Sequence, residues 1–217
     1  EGPGNAEIKS DIQKSFTTGV TLSASTNNDN ELLVTIRTNE QTLPLVQDHD
    51  LILRVSIRKE DVKTVNLRIN SLSNSLIIPT DDIPDGIIML TLTTSDNLPL
   101  SERLIFINRD DHIKVSIQPD KAVYNHRDPV SVKVSVSGDM LSGEIAFLSL
   151  SAAEGNFKDN PEGYATTITS WFLLESDVHG TVEGPSWYFD QSNPDRNRYL
   201  DLLLRTQGWR DFSWKSD

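Results

Sequence analysis

The strongest constraint on this chain is a period-two alternation of aliphatic and polar residues that recurs along most of its length. Leu51, Leu53, Val55 and Ile57 fall on one side of an extended strand and Arg54, Ser56 and Arg58 on the other, because successive strand side chains point to opposite faces. Val130, Val132, Val134 and Val136 alternate in the same way with Ser131, Lys133 and Ser135. The pattern extends to Val20/Leu22/Ala24, Leu32/Val34/Ile36, Val65/Leu67/Ile69, Ile88/Leu90/Leu92 and Ile113/Val115/Ile117. Shorter versions occupy 76–78, 104–107 and 145–150. One apolar and one polar face per strand is the signature of antiparallel sheets that pack on a single side.

Turn chemistry separates these runs. Asn27-Asn28-Asp29-Asn30 tolerates positive φ and hydrogen-bonds its own backbone. Pro84-Asp85-Gly86 and Ser95-Asp96-Asn97 mark two further reversals. Seven or so short strands before Asn108 predict an immunoglobulin-like β-sandwich over residues 1–110. Arg109-Asp110-Asp111 is the expected junction to a second β domain, 111–217, which offers three or four clear strands, fewer than a closed sandwich needs. Its periodicity then becomes helical. Ala165, Ile168 and Phe172, with Trp171 beside them, predict a helix over 163–176. A second helix is expected over 194–207, with Asn193 as N-cap, Pro194 at its first position, an apolar stripe through Tyr199, Leu202 and Leu203 extended by Leu200 and Leu204, and Gly208 at its end. The expected fold is thus mainly β: tandem antiparallel sandwiches, the second carrying two short C-terminal helices. Either those helices cover its open face or further sequence supplies the strands it lacks.

Charge and composition narrow the function. The 217 residues carry 20 basic and 32 acidic side chains, a net charge of -12, and the acidic excess is shared evenly by the two halves. No basic stripe is available to neutralise phosphates, which argues against nucleic acid as a partner. No apolar run approaches the roughly 20 residues of a membrane-spanning helix. The absence of cysteine removes disulfides, thiolate zinc sites and cysteine nucleophiles together. The first residue, Glu1, is neither a methionine nor part of a hydrophobic leader, so the chain reads as a mature or excised piece.

Candidate chemistry is sparse. Asp48-His49-Asp50 and Asp110-Asp111-His112 place histidine beside acids, but neighbours on a strand diverge and metal sites need convergence from several elements. Both triplets read as solvated turns. The histidines His49, His112, His126 and His179 lie outside any nucleophile-elbow pattern, and neither phosphate-binding glycine loops nor zinc-protease motifs are present. No catalytic residue, metal or cofactor is therefore expected. All four tryptophans, Trp171, Trp187, Trp209 and Trp214, fall in the last 50 or so residues. Trp187 with Tyr188, and Trp209 with Trp214, offer a candidate sugar-stacking surface, although core packing is the commoner fate of such rings. Arg196, Arg198, Arg205 and Arg210 read as helix-surface charges or partners of nearby acids.

Three stretches carry a family resemblance. The first runs from Ile83-Pro84-Asp85-Gly86-Ile87 through Leu98-Pro99-Leu100-Ser101-Glu102-Arg103. The second is Asp120-Lys121-Ala122-Val123-Tyr124 followed by Asp128-Pro129-Val130, and the third joins Leu173-Leu174-Glu175-Ser176-Asp177 to Thr206-Gln207-Gly208-Trp209-Arg210. Together, over roughly residues 75–217, they resemble extracytoplasmic proteins of Bacteroidetes that carry macroglobulin-type domains, the second stretch being similar to the entry of a macroglobulin second-domain module. The resemblance implies consecutive β-sandwiches in a cell-envelope protein, at the periplasm or outer membrane. Its members often continue into carboxypeptidase-regulatory-like and TonB-dependent receptor plug-like domains, neither of which is in this chain. The thioester of macroglobulins needs a cysteine, so covalent trapping is not expected, and no catalytic residue carries over. The function expected is a spacer and protein-interaction scaffold, with domains of the same polypeptide or other envelope proteins as partners. A carbohydrate-binding module built on Trp187, Tyr188, Trp209 and Trp214 is the alternative.

Overall fold

The computed structural model describes residues 14, 16–27, 30–108, 114–138, 147–150 and 164–207. The protein is mainly β, with antiparallel sheets and short helices towards the C-terminus. It divides into two compact units that part between Ile105 and Phe106.

The first unit is built from seven strands: β1 (Thr21–Thr26), β2 (Glu31–Arg37), β3 (Leu51–Ile57), β4 (Glu60–Leu67), β5 (Ser73–Pro79), β6 (Gly86–Thr94) and β7 (Pro99–Ile107). They form a three-stranded sheet in the order β1-β2-β5 and a four-stranded sheet in the order β4-β3-β6-β7. The apolar sides given by the alternation are the buried sides. Leu32, Val34 and Ile36 of β2 are buried on the first sheet, and Leu51, Leu53 and Val55 of β3 with Ile88, Leu90 and Leu92 of β6 on the second. Short helix α1 (Leu43–Val46) bridges β2 and β3. Buried Thr42 anchors it, accepting the Gly19 N–H at 2.8 Å and donating to Asn39 Oδ1 at 2.8 Å.

Two local departures from the strict alternation have physical causes. Pairing of β3 with β4 shifts register between Val55 and Ser56, where Val62 of β4 is the extra residue of a bulge. Ser56 is consequently buried, its hydroxyl donating to Asp61 Oδ1 at 2.7 Å, and Ile57 is half-buried instead of sharing the core face of Leu53 and Val55. The β3–β4 hairpin closes through Arg58 and Lys59 alone, at φ 48° and 76°. Tight hairpins demand such left-handed residues, a demand usually met by Asn-Gly.

In the second unit, β8 (Lys114–Pro119) pairs antiparallel with β9 (Val132–Ser137) as a two-stranded ribbon. Val130 lies before the strand that the alternation has it begin. Residues 147–150 are not a strand, and Phe147 is 93% exposed; the first two residues of that expected strand lie outside the described residues. Among the described residues, this ribbon is the sheet of the second unit, short of a second sandwich.

The expected helix over 163–176 is shorter. Thr167, in extended conformation, starts α2 (Ile168–Ser170) through a reciprocal capping box with Ser170. The chain then widens into a π turn, Trp171–Glu175. The β-branched Thr166 before the cap and the capping role of Thr167 itself account for the late start. A 3₁₀ turn, Pro185–Phe189, follows Gly184. Glycine is favoured there twice over, by a left-handed φ of 56° and because a Cβ at this position would lie 3.3 Å from the Cβ of Tyr164. Helix α3 spans Arg196–Gln207, where Asn193 Oδ1 accepts the Asp195 N–H at 3.1 Å ahead of it. Buried Leu174, Pro185, Leu200 and Leu204 lie within these segments, which pack on one another.

Candidate interaction surface

The ribbon has two chemically distinct faces. Its register sets Val115 opposite Val136, Ile117 opposite Val134 and Pro119 opposite Val132. Directly opposed residues of an antiparallel pair share a face, so six apolar residues line one side. Lys114, Ser116 and Gln118 with Lys133, Ser135 and Ser137 line the other. The apolar side is open: Val115, Ile117 and Val132 are exposed, Ile117 by 59%, while Val134 and Val136 are half-buried. A two-stranded ribbon is marginal by itself, and contiguous exposed apolar surface of this kind marks contact sites.

The loop from Asp120 to Ser131 fixes the ribbon's closed end. Asp120 Oδ1 accepts the Tyr124 hydroxyl at 2.6 Å and the Ser131 N–H at 2.9 Å. The Tyr124 oxygen accepts the Lys121 N–H at 3.0 Å. Asp128 Oδ2 accepts the Asn125 N–H at 2.9 Å, with Arg127 between them at φ 67°. The Tyr124 hydroxyl first, and the Ser131 N–H second, hold the Asp120 carboxyl below the usual carboxylate range. The same bond to Asp120 pushes the phenol of Tyr124 up. The Asp-Lys-Ala-Val-Tyr and Asp-Pro-Val stretches thus supply the staples of one loop.

A second open apolar stripe lies on α2 and the π turn. Ile168, Trp171 and Phe172, expected to face a core, are exposed, Ile168 by 78%. Ser170 and Leu174 are buried instead. Glu175 sustains this arrangement, its carboxylate accepting Ser170 Oγ at 2.8 Å and Thr166 Oγ1 at 2.9 Å. Alternation and helical spacing both identify the apolar sides of these elements. Neither contains a signal for whether anything covers them.

The aromatic candidates divide. Trp187 and Tyr188 sit on the 3₁₀ turn, half-buried, while Trp209 and Trp214 lie outside the described residues. The Trp187 ring meets Tyr188 edge-on, with centroids 5.4 Å apart and planes at 81°, and tilts against Tyr199 at 5.0 Å. These rings tie the 3₁₀ turn to α3, rather than lying coplanar. Burial, and then the charge of Glu183, raise the Tyr188 phenol pKa. Arg205 pairs with Asp201 at 2.8 Å and Arg198 lies 6.0 Å over the Tyr199 ring, both on α3, and Arg210 lies outside the described residues.

The acidic triplets behave as turn residues where they are described. Asp48 adopts φ 66°, and Asp50 accepts Arg68 Nε at 2.7 Å, a bond that lowers its pKa. Asp110, Asp111 and His112 lie outside the described residues. No three potential metal-ligating side chains converge among the described residues, and no described helix is long and apolar enough to cross a membrane. No protein-family model matches the chain, and no curated protein matches it.

Proposed function

We propose that this chain is a non-enzymatic module of a bacterial cell envelope, in which a β-sandwich acts as spacer and the second unit engages a neighbouring protein surface. The observation that carries the reading is the apolar face on which Val115, Ile117 and Val132 are exposed, among the described residues, on a ribbon whose loop is firmly stapled. Rigid closure beside an open apolar face is the arrangement of a docking element. The best-organised polar side chains, Asp120, Asp128 and Glu175, all close turns or support a helix start.

The strand order supports an immunoglobulin-related sandwich for the first unit. With β1, β2, β3, β5, β6 and β7 taken as A, B, C, E, F and G, the sheets read A-B-E and C-F-G. β4 then lies beside C, where an immunoglobulin constant domain has its D strand beside E instead. Resemblance to macroglobulin-type envelope proteins of Bacteroidetes supports an extracytoplasmic setting, a link to TonB-dependent uptake, and partners among domains of the same polypeptide or other envelope proteins.

The test is the native size and location of the protein, followed with an antibody raised against this chain. The expected result is an outer-membrane-associated band far heavier than 24.3 kDa. A soluble band near that mass would overturn the envelope-module reading.

A further inference from the structure

We infer that the β8–β9 ribbon is an acceptor for one extended strand in which aliphatic residues alternate with acidic ones, supplied by a partner polypeptide. The inference rests on the reading of the ribbon as an interaction surface and adds the chemistry of what it accepts.

Among the described residues the sheet has two strands and hence two outer edges, and an added strand obtains main-chain hydrogen bonds from either. Its side chains then alternate between the ribbon's faces. On one face they join the aliphatic row of Val115, Ile117, Pro119, Val132, Val134 and Val136. On the other they join Lys114, Ser116, Gln118, Lys133, Ser135 and Ser137, where the charges are both positive. Neither strand contains an acid, and no carboxylate pairs with Lys114 or Lys133 among the described residues. Whichever edge is used, one of these lysines lies in the adjoining strand.

The same lysines choose between occupants. A second copy of the ribbon would bring two more lysines and no acid to meet them. Lysine on a sheet edge guards against such indiscriminate pairing, while an opposite charge across the strands stabilises it. The ribbon and its loop, residues 114–138, contain Lys114, Lys121, Arg127 and Lys133 against Asp120 and Asp128. This segment is therefore locally basic within a chain of net charge -12.

The experiment uses the full chain and two labelled heptapeptides, Val-Glu-Ile-Glu-Val-Glu-Ile and its counterpart with Lys for every Glu, followed by fluorescence anisotropy at about 0.15 M salt. The acidic peptide is expected to bind roughly threefold to tenfold more tightly than the basic one, the range set by changing cross-strand charge pairs from attractive to repulsive. Combined Lys114→Glu and Lys133→Glu substitutions, on the exposed polar face, should reverse the order. Ile117→Asn should weaken both peptides. Equal binding of the two peptides, or preference for the basic one, overturns the inference. So does sedimentation showing that the chain dimerises and that Ile117→Asn restores the monomer, because the occupant is then a second copy. The envelope-module reading is judged by native mass and location, so the two can fail separately.

Discussion

The phenol of Tyr124 donates a 2.6 Å hydrogen bond to the carboxylate of Asp120, four residues back, and so closes the loop between the two strands of the open ribbon. Asp120 is exposed and Tyr124 half-buried, so the bond acts chiefly by ordering the loop. Its pH dependence has two limbs. The Asp120 pKa lies below its ordinary 3.8, so its contribution is present above that value and is lost as pH falls through the folded-state pKa. The Tyr124 pKa lies above its ordinary 10.0, so its contribution is present below that value and is lost as pH rises through the folded-state pKa. Protection of the Ser131 amide from exchange, taken relative to its intrinsic rate at each pH, should therefore be greatest across the neutral range and fall at both extremes. Tyr124→Phe should raise that exchange at neutral pH. Unchanged protection of Ser131 in the variant would show that the bond is dispensable.

The hairpin between β3 and β4 is closed by residues poorly suited to it. Lys59 adopts φ 76° with a side chain that resists the left-handed region. Lys59→Gly should relieve that strain, although glycine gives back part of the gain through its freer unfolded state. The expected net effect is a stabilisation of roughly 0.5–1 kcal/mol, read from the urea midpoint at unchanged slope. A destabilised variant would mean that the lysine side chain supports the turn in some way its backbone geometry does not reveal.

Burial separates two aliphatic positions that look alike in the sequence. Leu53 in β3 has 0% exposure and Ile117 in β8 has 59%. Leu53→Ala should cost about 2–5 kcal/mol, combining lost transfer energy with an unfilled cavity. Ile117→Thr keeps a β-branched side chain and should stay within about 0.5 kcal/mol. Urea unfolding monitored at residues of each unit measures both. A cost at Ile117 comparable with that at Leu53 would mean that the ribbon face is covered in the free protein.

That contrast marks how far the fold is legible in the sequence. Strands β2, β3 and β6 can be read directly because their alternation is imposed by burial: Leu32, Val34, Leu53, Val55, Ile88 and Leu90 must all leave water. The bulge at Ser56 is hidden because it depends on β4, a partner distant in neither sequence nor space but unmarked by any glycine. The Arg58-Lys59 turn is hidden because strand pairing there overrides local preference. At the candidate site, the pattern locates the apolar sides of Val115/Ile117 and Ile168/Phe172 but gives no information on their cover. Whether an apolar side is core or contact surface depends on what packs on it, which periodicity does not encode. The stapling roles of Asp120 and Asp128 are equally invisible, since each is satisfied by groups brought together only when the loop closes.

The aromatic cluster separates the scaffold reading from the sugar-binding alternative. Flat sugar faces stack on rings presented broadside, whereas Trp187 and Tyr188 stand at 81° to one another and Trp187 leans on Tyr199. Each ring spends an edge or a face on its neighbour, and such pairs contribute about 0.5–1.5 kcal/mol beyond the area they bury. Tyr199→Ala should therefore loosen the 3₁₀ turn from α3 and shift tryptophan emission to the red as Trp187 becomes more exposed. Titration of the unmodified protein with a broad panel of oligosaccharides should leave that emission unchanged. A saturable shift with one glycan, lost in Trp187→Ala while the fold of the first unit is retained, would instead identify these rings as a sugar site and displace the packing role assigned to them.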